Sequence, residues 1–328
     1  MSALAAAAER RRRPLTRDQL ARLRDALEPG ATEVSARPLL GGIDTATYAL
    51  RLGSKDRARE VVVRVYRDWD GEGDAATAAQ RFHLVLTAVS AVSRLASRPI
   101  LGDPAGDLIG EPLVVTSFLP GAPLAPTGHD DAWAEQLASA LAGVQATPLD
   151  RLPADFPRDS TAAQRLSRVL ERGAAVRDPL WDTIASALSP IAAHVRTNSP
   201  MLIHGDFWFG NTIWQDGALT GIVDWDSASI ADPARDVAGA RNDLALLSGA
   251  RAADLFLARY EAECGPLRDL AFWDLLTSLP PVRWLPHWVE GYTALGLDLS
   301  LAEARARLES WIANALGRLS VGGRSAPS

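Results

Sequence analysis

Two short segments of the chain concentrate side chains that could do chemistry. The first reads LIHGDFWFGN and carries His204, Asp206 and Asn211, and the second reads IVDWD and carries Asp224. Each segment begins with a short apolar run that predicts a strand, and the Asp216-Gly217 pair between them is typical of a tight turn. A strand-turn-strand unit would fold the two loops back side by side. The sequence therefore predicts that the carboxylates and the amide converge.

Oxygen-bearing side chains of these types suit a hard cation and phosphoryl transfer. Mg²⁺ prefers oxygen ligands and usually takes only one or two carboxylates besides phosphate oxygens, a set to which Asn211 and Asp224 could contribute. Asp206 is then available to orient and deprotonate an attacking hydroxyl, which is the main proton-transfer task in phosphoryl transfer.

The spacing of these residues carries a resemblance to a known family. His204-Gly205-Asp206 with Asn211, the IVDW run that contains Asp224, and the later DPARD run at 232–236 resemble the aminoglycoside phosphotransferase and choline kinase-like family, a relative of the protein kinases. The resemblance includes the order of the lobes and covers roughly residues 34–315.

The resemblance implies a role for each matching residue of the second lobe. Asp206 would be the catalytic base, Asn211 and Asp224 would hold Mg²⁺ against the nucleotide phosphates, and His204 would brace the loop. The two acids of the DPARD run, Asp232 and Asp236, would tie the metal loop to the following helix. The implied cofactors are Mg²⁺ and ATP, with GTP as the open alternative.

The resemblance also implies where the nucleotide binds in the first lobe. Gly41 and Gly42 would form a loop whose N–H groups approach phosphate, Arg64 in the EVVVRVY strand would be the phosphate-binding cation, and the backbone of Ser117, Phe118 and Leu119 would read the base. Each feature has a plainer interpretation: a hairpin turn, a surface arginine and a core strand.

Two residues depart from the protein-kinase pattern. The single lysine, Lys55, lies in the turn before the strand, so that Arg64 takes the strand position. Phe82 stands where a helical glutamate would pair with this cation, and Glu72 or Gln80 could substitute for it. A catalytically degenerate, nucleotide-binding regulator therefore stays open as the alternative function.

The acceptor site is predicted in the helical lobe, where aromatic faces and acids would suit an amine-bearing ligand. Its candidate residues are Asp226, Trp208, Trp284, Trp288 and Glu290. The Pro280-Pro281 pair predicts a shaped loop in this region. Tryptophan at helical spacing is more often core than binding site, so a structural role is the competing interpretation.

The pattern along the chain predicts how these residues are positioned. Residues 1–33 are an extension with one helix, 34–119 a β-rich nucleotide-binding lobe with one packed helix, 120–319 a helical lobe for catalysis and acceptor binding, and 320–328 a disordered tail. The predicted fold class is α+β, a two-lobed protein-kinase-like fold with a small antiparallel sheet and a larger, mainly helical lobe.

The composition of the chain limits the kinds of partner that the protein is expected to bind. The formal net charge of −6 argues against nucleic acid, and the sequence has no apolar run long enough to span a membrane. The single cysteine, Cys264, cannot form an intramolecular disulfide, which suggests a reducing cytoplasm. The isolated histidines lack partners at ligand spacing and predict no metal site.

The predicted function is transfer of the γ-phosphoryl group of ATP to a hydroxyl of a small molecule. An aminoglycoside-like antibiotic, an amino alcohol and a sugar are all compatible acceptors, because specificity lies in loops outside the motif. A protein kinase is disfavoured, since the chain lacks a DFG triplet and an APE-type motif. The charge of the acceptor, the oligomeric state and any part in antibiotic resistance stay open.

Overall fold

A computed structural model describes residues 13–39, 45–54, 57–67, 74–123, 131–294 and 296–322. These residues form two compact units. The first contains the described residues up to Pro120 together with Gly221–Asp226, and the second contains those of 121–220 and those from Ser227 onward. By its contacts, the segment that carries Asp224 therefore belongs to the first unit, about a hundred residues away in sequence from the rest of it.

An antiparallel sheet and two helices make up the described part of the first unit. The strands follow the spatial order β1-β2-β3-β5-β4, and every neighbouring pair is antiparallel. Helix α2 packs on β4 and β5. The elements are α1 (Arg17–Leu27), β1 (Glu33–Pro38), β2 (Ala46–Ser54), β3 (Arg57–Val65), α2 (Ala75–Val92), β4 (Pro99–Asp103) and β5 (Leu113–Ser117).

Strand β3 shows why Arg64 lies where it does. Val61, Val63 and Val65 alternate along the strand and are fully buried in the core of this unit, together with Leu23 from α1. Side chains of a strand alternate between its two faces, so Arg64 projects from the opposite face. There its guanidinium lies over the ring of Phe82 from α2, 4.7 Å from the ring centre.

The second unit is mainly helical. Helix α3 packs against α7, α6 packs against α7, α8 and α9, and α8 packs against α5 and α9. Strand β6 pairs with β9, and β7 forms a hairpin with β8. The elements are α3 (Asp131–Gln145), α4 (Ala162–Arg172), α5 (Pro179–Leu188), β6 (Met201–Ile203), β7 (Thr212–Gln215), β8 (Ala218–Ile222), β9 (Ser229–Ala231), α6 (Ala234–Ser248), α7 (Ala250–Cys264), α8 (Leu270–Ala294) and α9 (Leu301–Gly322).

Helix α8 corrects one expectation from the sequence. The helix runs through Pro280 and Pro281, where a shaped loop was predicted, and it departs from helical geometry only at Trp284. A proline inside a helix removes one hydrogen bond and its ring clashes with the carbonyl four residues earlier, which bends the helix without ending it. Pro286 lies two residues after Trp284, and we therefore attribute the kink to this proline.

The helical and strand elements together form an α+β fold, which confirms the predicted class. Across the residues described above, none of the helices has both the length and the apolar character needed to cross a bilayer.

A buried ion cluster joins α6, α8 and α9. The Asp274 carboxylate is fully buried and accepts hydrogen bonds from Arg241 at 2.5 Å and Arg318 at 2.9 Å. Both guanidinium groups also lie over the ring of Trp311, at 5.0 and 5.3 Å from its centre. A second acid, Asp254, lies 3.6 Å from Arg241 but is itself exposed.

We expect Asp274→Asn to lower the free energy of unfolding by about 3 kcal/mol, because it removes the buried carboxylate that compensates the buried Arg241 charge. Asp254→Asn is the matched control and should change it by less than about 1 kcal/mol, as exposed ion pairs do. Urea denaturation of both variants measures the difference, and equal losses would contradict the assignment of the buried pair as the stabilising contact.

Candidate active site

The loop after β6 holds the first group of predicted site residues. Ile203 ends the buried strand, and the chain turns at Gly205, which has a φ of +85°. A side chain at this position would be strained, and its Cβ would clash with the carbonyl oxygen of Ser227. Gly205 therefore lets the loop pass close to the following segment and present Asp206.

Two side chains hold the backbone of this loop, and a third holds one of them in place. The carboxylate of Asp236, in the first turn of α6, accepts hydrogen bonds from the N–H of His204 at 2.6 Å and of Gly205 at 2.8 Å. Arg235 donates to the Gly205 carbonyl at 2.9 Å and pairs with Asp159 at 2.5 Å. The N–H and carbonyl groups of the loop are thus both bound. Asp159 is a positioning residue that the sequence did not indicate, and Arg235 belongs to the DPARD run but had no role assigned to it.

These contacts correct the role expected for the acids of the DPARD run. Asp236 binds the loop that contains Asp206 and does not tie the metal loop to the helix. Asp232 instead accepts hydrogen bonds from the N–H and the side-chain amide of Asn198, at 3.0 and 2.9 Å, and caps α6 through the N–H of Ala234. The sequence motif identified the right acids, but their partners depend on the packing of the loop.

His204 makes the contact expected of a residue that braces the loop. Its side chain is fully buried, and its Nδ1 accepts a hydrogen bond from the N–H of Asp206 at 3.3 Å. The imidazole ring also meets the ring of Phe207 edge to face, with 6.0 Å between their centres.

Asp206 and Asn211 lie together, as the sequence predicts. The side-chain amide of Asn211 donates to the backbone carbonyl of Asp206 at 2.9 Å and to its carboxylate at 3.0 Å. Because the amide N–H groups point at Asp206, the amide oxygen of Asn211 is the atom able to ligate a cation.

In the first unit, Asp224 and Asp226 lie against Arg64. Arg64 Nη1 is 2.9 Å from Asp224 Oδ1 and 2.7 Å from Asp226 Oδ2. Burial by itself would lower the pKa of Arg64, but the charges of Asp226 and Asp224 raise it above its ordinary value. Burial raises the pKa of Asp226; Arg64 opposes this shift and the charge of Asp224 adds to it. The cluster therefore holds one cation between two acids.

The predicted nucleotide-binding residues are placed only in part. Gly41 and Gly42 lie outside the described residues. The N–H of Ser117 donates to the carbonyl of Arg98 at 2.8 Å, so within the segment 117–119 a nucleotide base could find an N–H donor only at Phe118 or Leu119. The ring of Phe118 lies under the guanidinium of Arg37, 5.6 Å away.

Two of the predicted acceptor residues share a contact, and the other three make separate ones. Trp208 and Trp288 both meet the ring of Tyr292, at centre distances of 5.9 and 6.4 Å. Trp284 is half exposed and lies under the guanidinium of Arg283. Glu290 is exposed, and its carboxylate lies 3.8 Å from Nδ1 of His287. Asp226 pairs with Arg64, as described above.

The structure adds a buried acid that the sequence analysis missed. The Tyr292 hydroxyl donates to Asp243 Oδ1 at 2.5 Å. Burial raises the pKa of Asp243 to about 7, Tyr292 opposes this shift, and the charge of Asp206 adds to it. Asp243 follows Asp236 by seven residues, two turns along the same helix, so both acids project from one face of α6. That spacing is the signal that could have found it.

The fold described above is that of protein-kinase-like phosphotransferases. The family model of the APH phosphotransferase enzyme family matches residues 35–276, and the chain belongs to this family, which confirms the resemblance described above. A search of curated protein sequences finds no significant match.

Solved structures of phosphotransferases share the fold. Macrolide 2′-phosphotransferase MphH from Brachybacterium faecium is 19% identical, with a TM-score of 0.58 over 84% of this chain and 92% of that one. The GDP and kanamycin complex of APH(2″)-IIIa is 17% identical, with a TM-score of 0.58 over 94% and 99%. A thermostable mutant of aminoglycoside phosphotransferase APH(4)-Ia, in complex with AMP-PNP and hygromycin B, is 14% identical, with a TM-score of 0.62 over 90% and 98%.

We expect Gly205→Ala to lower the free energy of unfolding more than Gly217→Ala does. Both glycines have a φ near +80°, so both variants lose roughly 1–2 kcal/mol to backbone strain. A Cβ at Gly205 also meets the Ser227 backbone, which adds about 1–3 kcal/mol, whereas at Gly217 no described atom lies within 4 Å. Chemical denaturation measures both losses. Equal losses would show that the loop can shift to accept a side chain.

The buried Asp243 predicts a pH dependence of stability. Between its ordinary pKa of 3.8 and its folded pKa of about 7, the folded state binds more protons than the unfolded state, so stability falls as the pH rises through this range. Asp243→Asn keeps an acceptor for Tyr292 and removes this slope.

The difference in free energy of unfolding between wild type and Asp243→Asn should therefore change by up to about 4 kcal/mol between pH 4 and pH 8. The variant becomes more stable relative to the wild type as the pH rises. Urea denaturation at several pH values measures this difference, in which the contributions of other acids cancel. Parallel profiles would mean that Asp243 titrates normally in the folded protein.

Proposed function

We propose that the protein transfers the γ-phosphoryl group of ATP, or of GTP, to a hydroxyl of a small molecule. The observation that carries this proposal is the placement of Asp206 and Asn211 on one loop whose backbone is bound by Asp236 and Arg235. We further propose that residues 34–119 bind the nucleotide, that residues 120–319 bind the acceptor, and that the protein acts in the cytoplasm.

Asp206 is the proposed catalytic base. Its carboxylate would accept the hydrogen bond and then the proton of the acceptor hydroxyl, while the hydroxyl oxygen forms a bond to the γ-phosphorus and the bond from that phosphorus to the bridging oxygen breaks. The nucleoside diphosphate leaves with the electron pair of that bond. The hydrogen bond from Asn211 at 3.0 Å keeps the Asp206 carboxylate in one orientation.

The donor atoms fit Mg²⁺. The amide oxygen of Asn211 and the carboxylate of Asp224 are hard oxygen ligands, and Mg²⁺ usually needs only one or two carboxylates besides phosphate oxygens. In the described parts of the chain no three His, Cys, Asp or Glu side chains gather into a cage for a metal, which suits an ion held partly by its nucleotide. When bound, Mg²⁺ neutralises charge on the phosphate oxygens.

Arg64 is the proposed cation for the nucleotide phosphates. Its guanidinium is planar and can pair with a carboxylate and a phosphate through different N–H groups. The phosphates are proposed to bind the loop of Gly41 and Gly42, and the base is proposed to bind the backbone of Ser117, Phe118 and Leu119. The relatives crystallised with GDP and with AMP-PNP support a nucleotide as the phosphate donor.

The acceptor is proposed to bind beside Trp208 and Trp288, where the ring of Tyr292 joins them and Asp243 lies behind its hydroxyl. Aromatic faces attract a cationic group. The relatives crystallised with kanamycin and hygromycin B support an aminoglycoside-like compound, and an amino alcohol or a sugar shares the reacting hydroxyl.

A nucleotide-binding regulator without efficient catalysis is the second candidate. One observation favours it: the side chain that α2 presents to Arg64 is Phe82, where a kinase would present an acid. Such a protein would bind ATP·Mg²⁺ and transfer no phosphate.

The test is release of ADP or GDP by the purified protein with Mg²⁺ over a panel of aminoglycosides, macrolides, choline, ethanolamine and sugars. We expect acceptor-dependent release that falls about 10²- to 10⁴-fold in Asp206→Asn, because the proton acceptor is lost. Asp216→Asn, in the turn of the β7–β8 hairpin, is the matched control and should stay at the wild-type rate. Nucleotide binding without transfer to any acceptor would favour the regulator, and absence of nucleotide binding would overturn both candidates.

A further inference from the structure

The environment of Arg64 raises the question of what holds its charge in place. The Arg64 side chain is 16% exposed, and its guanidinium lies 4.7 Å from the centre of the Phe82 ring and 5.7 Å from that of Tyr66. A charge so far removed from water needs an acidic partner. Helix α2, which covers this face of the sheet, contains no aspartate or glutamate between Ala75 and Val92.

The acidic partners come from a distant part of the sequence. Asp224 and Asp226 follow β8, about 160 residues after Arg64, and both lie within 3 Å of the same Nη1 atom. The contact of Asp226 is the shorter of the two, and its side chain is the less exposed. Both acids therefore contact the same guanidinium group, but they differ in distance and in exposure.

The proposed function gives the two acids different tasks. Asp224 is the proposed ligand of Mg²⁺, and a carboxylate that ligates a cation shares its charge between that cation and Arg64. Asp226 is not among the proposed ligands of Mg²⁺, so its contact with Arg64 does not compete with the metal. The flat Phe82 ring supports the guanidinium from one side, a contact that suits arginine better than lysine.

We propose that Asp226 is a positioning residue for Arg64, and that it supplies the negative charge which α2 does not. This inference rests on the proposed function. Because Asp226 also contacts Arg64, Asp224 need not supply the whole compensating charge and can be shared with the metal. The arrangement also explains how Phe82 can occupy the position of an acid without leaving Arg64 unpaired. Asp226 thus takes a role different from the acceptor contact that the sequence suggested.

The proposal predicts a change in metal-dependent binding. In Asp226→Asn, Asp224 becomes the sole carboxylate partner of Arg64 among the described residues and ligates Mg²⁺ less well. We expect the dissociation constant of ATP in the presence of Mg²⁺ to rise roughly tenfold or more, and that of ATP with EDTA to change less than about threefold. Isothermal titration calorimetry measures both constants without catalysis, and Asp216→Asn is the control that should change neither.

A carboxylate introduced on α2 should restore the Mg²⁺-dependent binding of ATP that Asp226→Asn weakens. Phe82 lies against Arg64, so Phe82→Glu in the Asp226→Asn background places a carboxylate beside the same guanidinium and should return the Mg²⁺-dependent constant to within about threefold of wild type. Phe82→Leu in the same background is the matched control without a charge and should not restore it. Thermal melting confirms that each variant is folded.

The outcomes separate this inference from the proposed function. If the wild type does not bind ATP·Mg²⁺, the proposed function fails. If the wild type binds and Asp226→Asn binds equally well, the positioning role of Asp226 is overturned while the proposed function stands. Equal weakening of ATP binding with and without Mg²⁺, or a folded Phe82→Glu double variant that binds no better than the leucine control, also overturns it. If the double variant does not fold, the dependence on Mg²⁺ in Asp226→Asn decides.

Discussion

One buried carboxylate determines the conformation of the loop on which the proposed chemistry depends. Asp236 accepts the N–H groups of His204 and Gly205, two residues whose backbone would otherwise be buried without partners. Burial raises the pKa of Asp236, and the nearby His204 and Arg235 counteract this shift. The loop is therefore held by charge and hydrogen bonding inside the second unit, and Asp206 is oriented before any ligand binds.

The same principle recurs in the rest of the molecule. Arg64 pairs with Asp224 and Asp226, and Arg241 pairs with Asp274. In each case a buried charge is satisfied by a partner more than 30 residues away in sequence. Because a buried, unpaired charge is strongly destabilising, these pairs specify which elements must meet. The acids that pair with Arg64, and the loop that Asp236 binds, are also among the residues to which the proposed function assigns a role.

Much of the fold and part of the candidate site could be predicted from the sequence. The apolar EVVVRVY run indicated the strand that carries Arg64, and the turn at Asp216-Gly217 indicated the hairpin. The motif around Asp206 identified the family, because its residue types and spacing are few and specific. The prediction of a loop at Pro280-Pro281 was wrong. Packing against α5, α6 and α9 holds a bent helix together there, although the local preference of the two prolines favours a break.

The sequence by itself determined most of the elements, the family and the residue types that could carry phosphoryl transfer, because these depend on local periodicity and on a short, specific motif. Only the tertiary structure decided the partners of the charged groups. Asp236 binds the loop of Asp206, Asp226 binds Arg64, and Asp243 lies buried against Tyr292. Pairing of this kind depends on which side chains are brought together away from water, and residues far apart in the chain meet only when the elements pack.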